Sequence, residues 1–105
     1  MAYGNALEAL ADPTRRAVFQ QLRGGARSVG EIAAQLPVSR PAVSQHLKVL
    51  KEAGLVRDEP RGTARIYRIH VEGLRELRDW LDGFWDEALA NFKAHAERGA
   101  EGDEQ

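Results

Sequence analysis

The chain contains no cysteine, which excludes a disulfide framework and every thiolate metal site. It also lacks a long apolar run, with no stretch approaching the ~18 apolar residues that a membrane span requires. The opening segment, MAYGNALEALADPTRR, has neither the basic n-region nor the apolar h-region of a secretion signal. These absences predict a cytoplasmic protein with no membrane partner. Aromatic residues are scarce, at 7%, and they gather towards the end of the chain. What remains is 43% apolar and 30% charged over 105 residues, an ordinary globular composition of one-domain size. A monomer this small buries a limited core, so a partner chain is an expected source of stability.

Net charge is lacking too, at −1, which on its face argues against a nucleic-acid partner. Its distribution reverses that. Residues 13–68 hold eleven Lys/Arg against four Asp/Glu, about +7, whereas residues 69–105 hold four against ten, about −6. Such polarity suggests one segment facing an anion and another facing solvent or a partner chain. Chance segregation of surface charge would give the same pattern, so the decision passes to motifs.

Ala6, Leu7 and Leu10 in NALEAL have helical spacing and predict a short first helix over residues 5–10. Asp12-Pro13 reads as an N-cap followed by proline at the first helical position. The second helix, PTRRAVFQQLR, then presents Ala17, Val18 and Leu22 on one stripe and ends at Gly24-Gly25. Arg15 and Arg16 sit in its first turn, where the dipole disfavours cations; this hints at an anionic partner, although solvated arginines fit equally well. Ser28 and Glu31 have capping-box spacing and open a third helix with Val29, Ile32, Ala33 and Leu36 inward. Pro37-Val38 makes a tight turn, and Ser39 caps a fourth helix that stops at Gly54. Two short helices joined so briefly form a helix-turn-helix.

Projected at 100° per residue, the fourth helix places Val43, Leu47 and Leu50 inward. Pro41, Ser44, Gln45 and Lys48 lie roughly opposite, Arg40 and Lys51 flank them, and His46 lies at the border. The outward face carries small hydrogen-bonding and cationic side chains, which can reach base edges in a DNA major groove. A merely solvated face would also be polar, but would usually include acids.

Residues 55–59 read as a strand, with Pro60 disfavouring further ladder pairing. Arg61-Gly62-Thr63 supplies a turn, and residues 64–69 return as a second strand, with Arg65, Tyr67 and Ile69 on one face. Arg61 and Arg65 near the tip suggest a wing that grips phosphate or minor groove; an ordinary surface hairpin is the alternative. From Glu72 to about Arg98 the chain is a long amphipathic helix. Leu74, Leu77, Leu81, Phe84, Ala88 and Phe92 form its stripe, Trp85 and Leu89 broaden it, and Trp80 lies at its margin. The stripe is wider and more aromatic than a domain this small needs, so it predicts a dimer interface. The acidic residues 99–105 are expected to be a disordered tail, leaving one domain over 1–98.

The segments LADPTRR (10–16), SRPAVSQHLKVL (39–50) and AGLV (53–56) closely resemble the arsenical-resistance-regulator (ArsR/SmtB-type) family of winged helix-turn-helix repressors. Gly62 and Tyr67 fall at that family's wing glycine and strand tyrosine. The resemblance covers residues 5 to about 95. It implies a mainly α fold of about five helices with a small β-hairpin wing. It also implies a homodimer joined through its first and last helices and bound to an inverted-repeat operator in double-stranded DNA.

Many members of that family sense metals. Here the third helix offers no cysteine, and in the last helix His95 is followed at ligand spacing by Arg98, whose guanidinium cannot ligate a metal. His70 has no ligand partner, and it stands where lookalikes carry a helix-capping aspartate. The chain therefore resembles the metal-independent subgroup, with no cofactor.

The expected base contacts are Ser44, Gln45 and Arg40, since Gln suits adenine and Arg suits guanine. Ser39, His46 and Lys48 are expected on phosphates, and Arg61, Thr63 and Arg65 in the wing. Leu7, Leu77, Leu81, Phe84, Trp85, Ala88 and Phe92 are expected at the dimer interface. A ligand- or metal-responsive repressor of the same fold and a winged-helix protein–protein module are the alternatives. Asp79, Asp82 and Asp86 share a helix but read as a solvated edge, not as a catalytic carboxylate pair.

Overall fold

Local caps set most of the helix starts. In the computed structural model, which describes the backbone of residues 2–103 and the side chains of 5–99, the elements are α1 (Ala2–Ala11), α2 (Pro13–Gln20), β1 (Arg27–Ser28), α3 (Val29–Gln35), α4 (Arg40–Glu52), β2 (Val56–Arg61), β3 (Ala64–Ile69) and α5 (Val71–Asp103). Asp12 accepts the Arg15 N–H at 2.9 Å. Ser28 and Glu31 exchange bonds of 3.1 and 2.9 Å in a full capping box. Ser39 accepts the Ala42 N–H at 3.3 Å. These caps satisfy amides that a helix cannot pair by itself.

The α1–α2 corner overturns one expectation. The Arg15 Nε donates to the Ala9 carbonyl at 2.6 Å, and Arg16 donates to the Leu10 carbonyl at 2.9 Å. The anionic partner of these arginines is the open C-terminal end of α1, where carbonyls lack helical partners and a cation is favoured. Nothing external is needed to explain them.

Val18, Ile32, Val43, Leu47, Leu50 and Leu55 have no exposed surface and form the centre of the core, with Ala6, Ala9 and Val56 around it. The helix-turn-helix therefore hangs from the inward residues of α4, as its periodicity predicts. α2 ends at Gln20, short of Arg23, because the chain breaks into turns from residue 21.

The sheet has three antiparallel strands in the order β1-β3-β2. The sequence suggested only the hairpin. β1 is two residues long and exists through pairing with β3, Arg27 opposite Tyr67 and Ser28 opposite Ile66. Pro60 does not end the ladder, since it lies opposite Arg65, and Arg61 lies opposite Ala64. β2 is an edge strand, where a proline need only be accommodated on one side. Gly62, at φ +63, begins the two-residue turn, a position where a left-handed conformation favours glycine.

α5 is fastened to the end of α4 at one point. The His70 N–H donates to the Leu55 carbonyl at 2.8 Å, and its carbonyl accepts from Leu74 at 3.1 Å to begin the helix. Its Nδ1 donates to the Gly54 carbonyl at 3.1 Å, so the ring ties α5 sideways instead of capping it as an aspartate would. Gly73 lies so close that a Cβ there would stand 1.8 Å from the Gly54 oxygen. At its far end α5 continues past Arg98 to Asp103, over residues expected to be a disordered tail. Helix propagation adds a hydrogen bond with each residue, and the glycines at 99 and 102 only weaken it. Among the described residues no helix is long and apolar enough to cross a membrane.

Candidate nucleic-acid interface

α4 presents Pro41, Ser44, Gln45 and Lys48 to solvent while Val43, Leu47 and Leu50 are buried beneath them. His46 is half-buried at the border, as expected. From Arg40 to Lys51 the outward face of α4 holds no carboxylate; Glu52, exposed in the last turn and one turn beyond Lys48, brings one to the end of that face, a departure from the acid-free face that the sequence predicts. Arg40 is exposed but leans back across the turn, its guanidinium lying against Gly30 of α3. Ser39 uses its oxygen as a cap acceptor and keeps its hydroxyl hydrogen to donate.

The wing is less basic than its composition. Asp58 of β2 has a side chain only 7% exposed, and its two oxygens are taken by Lys51 of α4 and Arg65 of β3, each at 2.8 Å. Arg68 pairs with Glu59. Arg65 is therefore not the free phosphate-gripping cation expected of it, because the fold sets a carboxylate on the same sheet face. Arg61 and Thr63 stand exposed at the tip, with no ion pair at Arg61 among the described residues. Arg57, exposed on β2, is a further cation with no ion pair among the described residues, and the motif did not single it out. Only its composition could have drawn attention to it.

Three carboxyls are held below the usual carboxylate range. Lys51 beside Asp58 does this first and Arg65 adds to it, the Arg15 N–H does it for Asp12, and the Ser28 N–H does it for Glu31. In the unfolded chain such groups protonate near pH 4, and in the folded chain only below that. Between those values the unfolded state binds more protons, so stability present above about pH 4 is lost as pH falls through the folded values. Thermal melts by circular dichroism should show Tm declining below about pH 4, with a shallower decline in Asp58→Asn. Equal Tm at pH 3 and pH 6 would remove these carboxyls from the stability balance.

The distal part of α5 turns away from the core. Leu7, Leu81, Phe84, Trp85, Ala88, Leu89 and Phe92 are exposed, Trp85 at 66% and Phe92 at 71%. Phe84 meets the half-buried Trp80 edge-on with ring centroids 4.8 Å apart. Leu77 differs from the others expected at an interface. It is 5% exposed and belongs to the protomer's own core, because it lies on the part of α5 that still packs against the domain. Among the described residues no three His, Cys, Asp or Glu side chains converge on a metal position.

Residues 10–59 match a family described as a helix-turn-helix domain. The chain is 58% identical over 87 residues to the HTH-type transcriptional regulator Rv2034 of Mycobacterium tuberculosis, across 83% of this chain and 81% of that one. Its backbone superposes, with a TM-score of 0.66, on the homodimeric winged helix-turn-helix DNA-binding domain of Mb0332 from Mycobacterium bovis, described as a possible ArsR-family regulator. That similarity has 31% identity and covers 84% of this chain and 82% of that one. The chain belongs to the ArsR family of winged helix-turn-helix transcriptional regulators. A further relative, the transcriptional repressor SdpR of Bacillus subtilis, is 34% identical across 76% of this chain and 89% of its own.

Proposed function

We propose that this ArsR-family regulator acts as a homodimeric repressor that binds an inverted-repeat operator without a metal ion. The observation that carries it is the solvent-facing polar and cationic surface of α4 from Arg40 to Lys51, with its carboxylate, Glu52, confined to the last turn, anchored by fully buried Val43, Leu47 and Leu50. One such helix reads too few bases for useful specificity. A two-fold pair reads two half-sites about one helical turn apart, and the symmetry of the pair requires the inverted repeat. The exposed aromatic face of α5 is the surface suited to join the two copies. The neighbour described as homodimeric and the relative named a repressor support the same reading. The absence of cysteine, with Arg98 at ligand spacing from His95, supports independence from metal.

In this reading Ser44, Gln45 and Arg40 contact base edges, Ser39, His46 and Lys48 contact phosphates, and Arg61 and Thr63 act at the wing tip. Duplexes selected by the protein from a random-sequence pool test the assignment. Gln45→Ala should relax sequence preference, at a cost of about 1–3 kcal/mol on the selected duplex, and Arg61→Ala should weaken selected and random duplexes alike. Equal losses on both for Gln45→Ala would remove its base-reading role. Lys48, Arg57 and Arg61 of two protomers supply about six phosphate contacts, so log affinity should fall against log salt with a slope of roughly −5.

A further inference from the structure

Lys51, Asp58 and Arg65 form the one ion-paired link between the reading helix and the wing among the described residues. Lys51 lies in the last turn of α4, Asp58 in β2 and Arg65 in β3. Exposed ion pairs usually contribute little, because solvent screens them and two long side chains must be ordered. This one differs in construction. The carboxylate is 7% exposed, while its two cations remain 53% and 52% exposed, so one covered anion is shared by two half-solvated cations. Asp58 lies opposite Tyr67 and Arg65 lies opposite Pro60, so Arg65 reaches Asp58 along the diagonal of one sheet face. Lys51 approaches the same face from the helix. The arrangement fixes the direction of the hairpin relative to α4, and it occupies two cations that would otherwise meet any phosphate.

We infer that Asp58 is a specificity-determining positioning residue, which through Lys51 and Arg65 sets the wing against the reading helix and withholds both cations from indiscriminate DNA contact. The inference rests on the DNA-binding reading above. Asp58 touches no base or phosphate itself. Its loss therefore has a particular signature: binding to the correct duplex weakens because wing and helix no longer engage together. Binding to arbitrary duplex holds or improves, because Lys51 and Arg65 are released and a negative charge is removed.

The test measures binding to a duplex selected by the wild-type protein and to poly(dI-dC), at one fixed salt concentration. Asp58→Asn, nearly isosteric, should lose about tenfold on the selected duplex, the size of coupling seen within one ion-pair network, and nothing on poly(dI-dC). Lys51→Gln, at an exposed position where the fold is not at risk, should lose about the same on the selected duplex and nothing on poly(dI-dC). The double variant should be no worse than either single one, since both break the same link. Losses that multiply to about a hundredfold, or equal losses on both duplexes, would assign Lys51 to direct phosphate contact and overturn the inference. No loss in either single variant would overturn it as well. A wild-type protein that selects no sequence at all fails differently: the DNA reading itself falls, and this inference with it.

Discussion

Gly73→Ala should destabilise the protein by at least about 3 kcal/mol, the upper end of what forced overpacking costs, and lower Tm by more than about 10 °C for a domain of this size. In a helix interior the same substitution is ordinarily stabilising by up to about 1 kcal/mol, so the expected sign is inverted. The cause is that the added methyl would stand 1.8 Å from the Gly54 oxygen. That obstacle is backbone and cannot swing aside as a side chain could. Gly54 is itself held at φ +81, and its carbonyl is already bonded to His70. Gly83, in the same helix with nothing within 4 Å of where an added methyl would stand, is the natural comparison: Gly83→Ala should match or exceed wild-type Tm. A Gly73→Ala protein that melts within about 2 °C of wild type, well inside the shift expected for even 1 kcal/mol, would mean that the α4–α5 joint is not close-packed.

The second large effect is expected at Trp85. Substitution to Glu should leave the protomer folded, because the side chain is 66% exposed there, and should abolish the dimer. An aromatic anchor at an interface centre contributes about 2 kcal/mol or more. A two-fold interface contains it twice, so dimer dissociation should rise by roughly a thousandfold or more, before the charge repulsion of two introduced carboxylates. Sedimentation equilibrium at low micromolar concentration should then show a monomer, and affinity for the selected duplex should fall by at least about a hundredfold as one half-site is lost. A persisting dimer would move the interface off α5. Leu77→Ala should do the reverse, lowering protomer stability by about 2–5 kcal/mol while its surface-exposed neighbours still pair.

What could be read from the residues follows the range of the forces involved. The helix-turn-helix was legible because its determinants are local: the caps at Ser28 and Ser39, the turn at Pro37-Val38 and the spacing of Val43, Leu47 and Leu50. The amphipathic stripe of α5 was legible as a stripe. Its division into an inward part ending near Trp80 and an outward part beyond was not, because that depends on where the helix leaves the domain. Leu77 was misassigned for that reason. β1 has two residues and no signal apart from its partner strand. The pairings of Arg15, Arg16 and Arg65 were illegible because a positive charge in a sequence does not show which carbonyl or carboxylate the fold will set beside it. On α4, Pro41, Ser44, Gln45 and Lys48 are exposed where the periodicity placed them, with Glu52 joining them in the last turn, whereas in the hairpin Arg61 and Thr63 are exposed and Arg65 is ion-paired to Asp58.

The contact of Gly73 with Gly54 also has a mechanical consequence. From this joint the reading helix runs back to Arg40 and the long helix runs forward to Trp85, each over about 20 Å at the rise of an α-helix. The joint is thus the fulcrum of a lever with nearly equal arms, one ending at the proposed DNA face and the other at the proposed partner chain. A tilt of about 10° between them would carry the tip of the reading helix roughly 3.5 Å, about one base-pair step along the duplex. In the proposed operator complex, the tolerance of half-site spacing would follow from how stiffly this glycine contact and the packing of α5 on α1 hold together.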